Sequence, residues 1–350
     1  MYEKKVAMLA MVVCSVVFTR MVDAEASEDI KEILTSGDYE YCILDDGTIQ
    51  ITNFYGSADQ LEIPDEIDGK MVSEIGNRAF SSCKNLTGIK IPDSVIEIDD
   101  YAFVGSRITD IEVDANNKCF DVIDGVLYDI DEKELIYYPC GFTEEHFSVP
   151  QGIEKIGYYA FWGGSSLTSI EIPDSVTEIG HWAFLICERL TRIEVDEGNK
   201  SFDVIDGVLY DIDEKELIYY PCGFTTEIFS IPQGIKKIGY GAFANGSNLI
   251  SIEIPDSVTE IDTCAFDSCV NLINIEIPDS VTEIGYGAFY DCSSLTSIEI
   301  PNSVTEIGDN AFHGCENLKI TAADGSYAIQ YAIDNGIDYE YVGQHDWLNN

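Results

Sequence analysis

Residues 275–297 read IEIPDSVTEIGYGAFYDCSSLTS, and this stretch decides the fold because it recurs along the chain. Ile275 and Ile277 flank Glu276, the alternation of a short strand with one buried face. Pro278 has no amide to donate to a ladder and ends that strand. Ser280-Val281 to Ile284-Gly285 supplies a second short extended segment, and Gly285 permits a turn that a Cβ would hinder. Ala288-Phe289 points inward, small beside large, before Cys292 and Leu295 close the coil. One such coil cannot bury both sides of its apolar layer, so neighbouring coils must bury it for each other.

Working outward, Ala-Phe falls at 79–80, 102–103, 160–161, 183–184, 242–243, 265–266, 288–289 and 311–312, with spacings of 23, 58, 23, 59, 23, 23 and 23. A period of 23 lies in the range of leucine-rich solenoids. The two long gaps hold one longer unit twice: residues 114–145 match 196–227 at an offset of 82, so a block has been duplicated whole. Phe103 to Val113 is one step shorter than Phe184 to Val195, which places a missing residue near Gly105, where other units carry Cys. The predicted fold is a β-rich solenoid, a leucine-rich repeat array of 23-residue coils with short parallel strands and two inserted β-hairpin units. About eleven coils at strand spacing give a rod of roughly 50 Å.

The ends read as caps. Residues 39–56 alternate around Asp46-Gly47, a hairpin signal, and 25–37 (EASEDIKEILTSG) read as a short helix or an unfixed tail. Ser326 followed by Ala328, Tyr331, Ala332 and Asn335-Gly336 predicts a small helical C-terminal cap with a glycine stop. The expected organisation is a signal peptide at 1–24, an N-terminal segment and hairpin cap at 25–60, the solenoid at 61–320, and a C-terminal cap and tail at 321–350. Lys4 and Lys5, an apolar run from Val6 to Phe18, and small residues around Ala24 carry the signal-peptide assignment. The run is shorter than the roughly 20 residues of a membrane span. No second apolar span or anchoring tail follows, so an exported, soluble mature chain is expected.

Charge excludes more than it assigns. Lys plus Arg number 19 against 64 Asp plus Glu, a formal net charge of −45. Nucleic acid needs a basic footprint and anionic membranes need basic segments; neither is an expected partner.

The unit Ile-x-Ile-Pro-x-Ser-Val-x-x-Ile-Gly-x-x-Ala-Phe-x-x-Cys-x-x-Leu resembles the BspA-like (Treponema pallidum-type) bacterial leucine-rich repeat family, over about residues 39–342. The DGVLYD…LIYYP units resemble insertions common in that family. The resemblance implies a solenoid on secreted or cell-surface proteins with roles in adhesion and in protein or matrix binding. It departs from the pattern where Gly164 and Gly246 stand in the Cys slot. The expected partner is a protein or extracellular-matrix ligand, with a glycan as the alternative, and the expected state is a monomer without cofactor.

Two sets of residues are candidates for a binding face. Glu171, Glu194, Glu253, Glu276 and Glu299, with Glu112, fall between the paired apolar residues of the first strand and should line one solvent face. Glu97, Glu178, Glu260, Glu283 and Glu306 form a second row. The rows read either as a solvated face that keeps the protein soluble or as a docking surface for a basic partner. Tyr128, Tyr137 and Tyr138 recur as Tyr210, Tyr219 and Tyr220. Alternation predicts that one of each adjacent pair faces in and the other out, as core packing or as a contact patch for protein or sugar.

Other chemistry finds little footing. Cys83, Cys187, Cys269, Cys292 and Cys315 share one inward slot. Their neighbours are spaced near 4.8 Å, beyond the roughly 3.8 Å between Cβ atoms that a disulfide prefers, so buried thiols are expected. One pair among Cys42, Cys119, Cys140, Cys222 and Cys264 is open to bridging in an exported chain. Asp129-x-Asp131 and Asp211-x-Asp213 lack a full calcium loop and read as hairpin turns. No zinc spacing, nucleophile elbow, phosphate loop or dinucleotide fingerprint is present.

Overall fold

The computed structural model describes residues 32–81 and 83–342; the signal-peptide assignment to 1–24 lies outside them. The chain is a β-solenoid of about 13 turns. The two hairpin units occupy places in the stack, which makes the array longer than the repeat count alone implies. Each coil contributes a first strand, as at Ser169–Ile172, and a two-residue second strand, as at Glu178–Ile179. The two lie in different sheets, on different sides of the coil. First strands pair in parallel with like residues aligned, Ile170 on Ile193 and Glu171 on Glu194. Second strands do the same from Lys237–Ile238 through Glu260–Ile261 and Glu283–Ile284 to Glu306–Ile307.

Two backbone devices repeat with the period. The residue before Ala-Phe is left-handed in seven of the eight units, as at Tyr159, Trp182 and Gly241, with φ of 56°, 61° and 62°. The glycine after the second strand serves a different end from the turn expected of it. Gly285 is not left-handed; a Cβ there would stand 2.4 Å from the Thr263 amide of the preceding coil. Close approach of successive backbones, and not a strained φ, requires it.

The core is an aromatic ladder. Phe54, Phe80, Phe103 and Tyr137 stack with centroids 5.9, 5.9 and 5.3 Å apart. Tyr138, Phe161, Phe184 and Tyr219 continue at 5.1, 5.4 and 5.2 Å. Tyr220, Phe243, Phe266, Phe289, Phe312 and Tyr331 complete it. Backbone bonds tie the same rungs, Phe243 N–H donating to Ala265 O and Phe266 N–H to Ala288 O.

The Cys slot is a second ladder. Cys187, Cys269 and Cys292 each donate to the carbonyl of the phenylalanine one coil back, at 3.1 Å. None of the ten described cysteines is in a disulfide, so none of the five off the ladder is bridged. Cys140 and Cys222 instead donate to the carbonyls of Ser106 and Cys187, both at 3.0 Å. Ser106 occupies the slot in the shortened unit, its amide bonded to Phe103 O as Cys187 is to Phe184 O. The missing residue therefore follows the slot and does not vacate it.

The hairpin units are three-stranded: Phe120–Ile123, Val126–Asp129 and Glu134–Tyr137, repeated at Phe202–Ile205, Val208–Asp211 and Glu216–Tyr219. Their turns are closed by Asp129 and Asp211, whose carboxylates accept from the amides of Glu132 and Glu214 at 2.8 Å, the hairpin role read for them.

The C-terminal helix spans Tyr327–Asn335, with Ser326 as N-cap and left-handed Gly336 as stop. Two edge strands were not read from the sequence. Ile33–Ser36 pairs with Tyr39–Ile43, so this part of 25–37 is strand and not helix or tail. Asp338–Tyr341 follows the helix and pairs in parallel with Lys319–Ala322.

Candidate interaction face

The structure separates the two predicted sets. All six candidate tyrosines, Tyr128, Tyr137, Tyr138, Tyr210, Tyr219 and Tyr220, are buried, and the expected contact patch is not on the surface. Adjacent tyrosines do face opposite ways, but both ways lead inward. Leu127, Ile136 and Tyr137 enter the core of the preceding coils, whereas Val126, Tyr128, Leu135 and Tyr138 enter that of the following coils. A register shift between Leu127 and Tyr128 lets Ile136 and Tyr137 share a side. The hairpin is a partition wall with core on both faces. The signal available for this was the near-continuous apolar run Val126 to Tyr128 with Leu135 to Tyr138, the pattern of a strand buried on both faces.

The glutamates of the first strands stand on the surface as expected, with Glu171, Glu253, Glu276 and Glu299 exposed and Glu194 half-buried. They line three successive grooves. The first, of about 260 Å³, holds Glu62, Asp110 and Glu112 beside Lys90, which pairs with Glu62. The second, of about 590 Å³, holds Glu171, Glu194, Asp196, Glu197 and Asp203. Here Arg192 pairs with Glu194, and Ser148 donates to Glu171 at 2.6 Å.

The third groove is larger, about 1170 Å³, and lies over the C-terminal coils. Glu253, Asp256, Glu276, Asp279 and Glu299 line it, together with Ile254, Ile273 and Val342, and no Lys or Arg is among its lining residues. It spans the break where Asn274–Ile275 and Ser297–Glu299 belong to different sheets. Ser230 donates to Glu253 at 2.6 Å, and no described side chain pairs with Glu276 or Glu299. Ile273 is 45 % exposed and Val342 54 %. Uncompensated carboxylates around exposed aliphatic groups suit a basic, partly apolar surface.

The second row differs because lysines interrupt it. Lys155 pairs with Glu132 at 2.7 Å, and Lys237 with Glu260 and Asp262 at 3.0 and 2.7 Å. Glu283 stands between Glu260 and Glu306, and its pKa is raised by burial and by those two like charges. At the hairpin units burial is the main cause of a larger rise: Glu134 and Glu216 are each pushed up to about 7. Among the described residues no group of three His, Cys, Asp or Glu side chains is placed to hold a metal ion. No helix among them is long and apolar enough to cross a membrane.

Comparison with known proteins follows the same lines. The family model for the BspA type leucine rich repeat region matches residues 48–125, 133–206 and 215–333, in six copies. Among solved structures, the chain is similar to a leucine rich cell surface protein from Faecalibacterium prausnitzii, at 29% identity and a TM-score of 0.52, over 92% of this chain and 97% of that one. It is also similar to a leucine-rich repeat protein from Eubacterium ventriosum, at 26% identity and a TM-score of 0.57, over 83% and 77% of the two chains. No curated protein matches it.

Proposed function

The chain belongs to the BspA-type leucine-rich repeat family, and on that premise we propose that it is a secreted or cell-surface, non-catalytic adhesion module that docks a basic protein on its first-strand face. The observation that carries this reading is the C-terminal groove: five carboxylates, exposed Ile273 and Val342, and no basic residue in the lining. The apparent leader at 1–24 supports export, and the similar cell surface protein supports that address. An extracellular-matrix protein with a Lys- and Arg-rich surface fits this chemistry. The glycan alternative rested on the repeated tyrosines, which lie in the core.

Capture of immobilised matrix proteins by the mature chain tests the proposal. Binding should weaken several-fold as ionic strength rises past the point where screening reaches about 8 Å. The triple variant Glu253→Lys, Glu276→Lys, Glu299→Lys should abolish it, while the same reversal at Glu283 and Glu306 leaves it intact. Binding that is indifferent to salt and to the triple reversal would remove the docking face.

A further inference from the structure

On the other side of the coil, a pocket of about 190 Å³ sits where the second hairpin unit meets the coil before it, bounded by Glu178, Trp182, Asp211, Glu216, Tyr219 and Tyr240. We propose that this pocket binds a guanidinium group, free or on an arginine side chain. Its size is right for a small planar head group, since a cavity of about 150 Å³ holds benzene. Three carboxylates line it with five Phe, Tyr and Trp residues, and no Lys or Arg does. Guanidinium is planar, weakly hydrated, stacks on aromatic faces and bonds carboxylates in pairs.

The charges around the pocket leave room for one more cation. Lys237 faces Glu216 from the adjoining coil, but Asp262 and Glu260 hold its ammonium. His181, also in the wall, is pushed towards its neutral form by burial and does not oppose a cation. Tyr240 lies against both His181 and Trp182, with centroids 4.7 and 5.5 Å away.

The first copy of the duplicated block supplies the comparison. Glu97, Asp129, Glu134, Tyr137 and Tyr158 there match Glu178, Asp211, Glu216, Tyr219 and Tyr240. Gly241, however, corresponds to Tyr159, Gly180 to Asp99 and His181 to Asp100. Tyr159 packs against Tyr101, the counterpart of Trp182, at 4.8 Å. At Gly241 that ring is replaced by hydrogen, and Trp182 lies over the glycine. The second copy thus shares three acids and two tyrosines with the first, but has Gly180 and His181 in place of two further acids and Gly241 in place of a bulky ring.

The test is a titration of the full chain with methylguanidinium and with N-acetyl-arginine methylamide, read from the Trp182 indole N–H signal in NMR. N-acetyl-citrulline methylamide is the neutral control. Saturable shifts with both cations and none with citrulline are expected; tighter binding of the arginine amide than of methylguanidinium assigns the ligand to a polypeptide side chain, and equal binding to a free small molecule. Glu216→Gln should weaken binding about tenfold, the scale of a lost charge-assisted pair. Gly241→Tyr should close the pocket, and the φ of 56° at Tyr159 shows that tyrosine is accommodated in this conformation. If that variant fails to fold, Glu216→Gln decides. A shift that does not saturate, equals that of citrulline or survives Glu216→Gln overturns the proposal. The pocket is separate from the first-strand grooves, so reversal of Glu253, Glu276 and Glu299 should leave these titrations unchanged.

Discussion

Tyr138 shows how far a side chain's role depends on what lies beyond it. Its ring packs on Phe142, Phe147 and Phe161, with centroids 5.1–5.2 Å away, and its hydroxyl is buried with no partner among the described residues. Tyr137, one residue earlier, shares a hydrogen bond with Ser106 at 3.1 Å. Removing an unpaired buried hydroxyl costs nothing, whereas removing a paired one leaves its partner unsatisfied. Tyr138→Phe should therefore be neutral or stabilising and Tyr137→Phe should cost about 1 kcal/mol. Tyr138→Ala, which takes a rung out of the ladder, should cost about 3–5 kcal/mol. Urea unfolding midpoints of the three variants check this order, and a destabilised Tyr138→Phe would refute it.

At the scale of the element, the hairpin walls carry two strongly displaced carboxyls. Glu134 faces Asp100, Lys155, Asp129 and Glu178, and Glu216 faces Lys237, Asp262, Asp211 and Glu260; burial lifts both to about 7. A carboxyl whose folded pKa lies above its unfolded value near 4.5 favours the fold when protonated. Its stabilising contribution is full below about pH 4.5 and is lost as pH rises through about 7. The urea midpoint should thus be higher at pH 5 than at pH 8. Relief of general repulsion among 64 acidic residues acts in the same direction, so the discriminating measurement is Glu134→Gln with Glu216→Gln, which should flatten the dependence between pH 5 and 8. An unchanged slope would place its origin elsewhere. None of this was legible in the two copies of DIDEKELIYYP, where these glutamates look like any other strand-edge charge. Their burial comes from the coils stacked on either side.

For the whole molecule, like residues bond like residues one coil away, and the duplicated block is one stretch of that stack. Deleting residues 125–206 joins Asp124 to Gly207 and restores the Asp-Gly junction present in both copies. Nearest-neighbour stability predicts a shorter chain that still folds, with unchanged per-residue circular dichroism and a cooperative transition. An aggregated or unfolded product would mean that the two walls are not interchangeable. The deletion also removes Glu178, His181 and Trp182 from the guanidinium pocket and sets Glu97, Asp100 and Tyr101 in their places, so the site does not pass intact into the product although Gly241 is kept.

Period, strand ends, helix caps and the outward glutamates were determined by the sequence alone. Each depends on residues within one turn of the coil: Pro278 stops a strand, Ser326 and Gly336 bound a helix, and Glu276 alternates with Ile275 and Ile277. Tertiary structure alone decided the burial of both Tyr137 and Tyr138, the role of Gly285, the strand at Asp338–Tyr341, and the contrast between a lysine-interrupted second row and a C-terminal groove without bases. Alternation says which residues share a side, but only the packing of the next coil says whether that side is water or core.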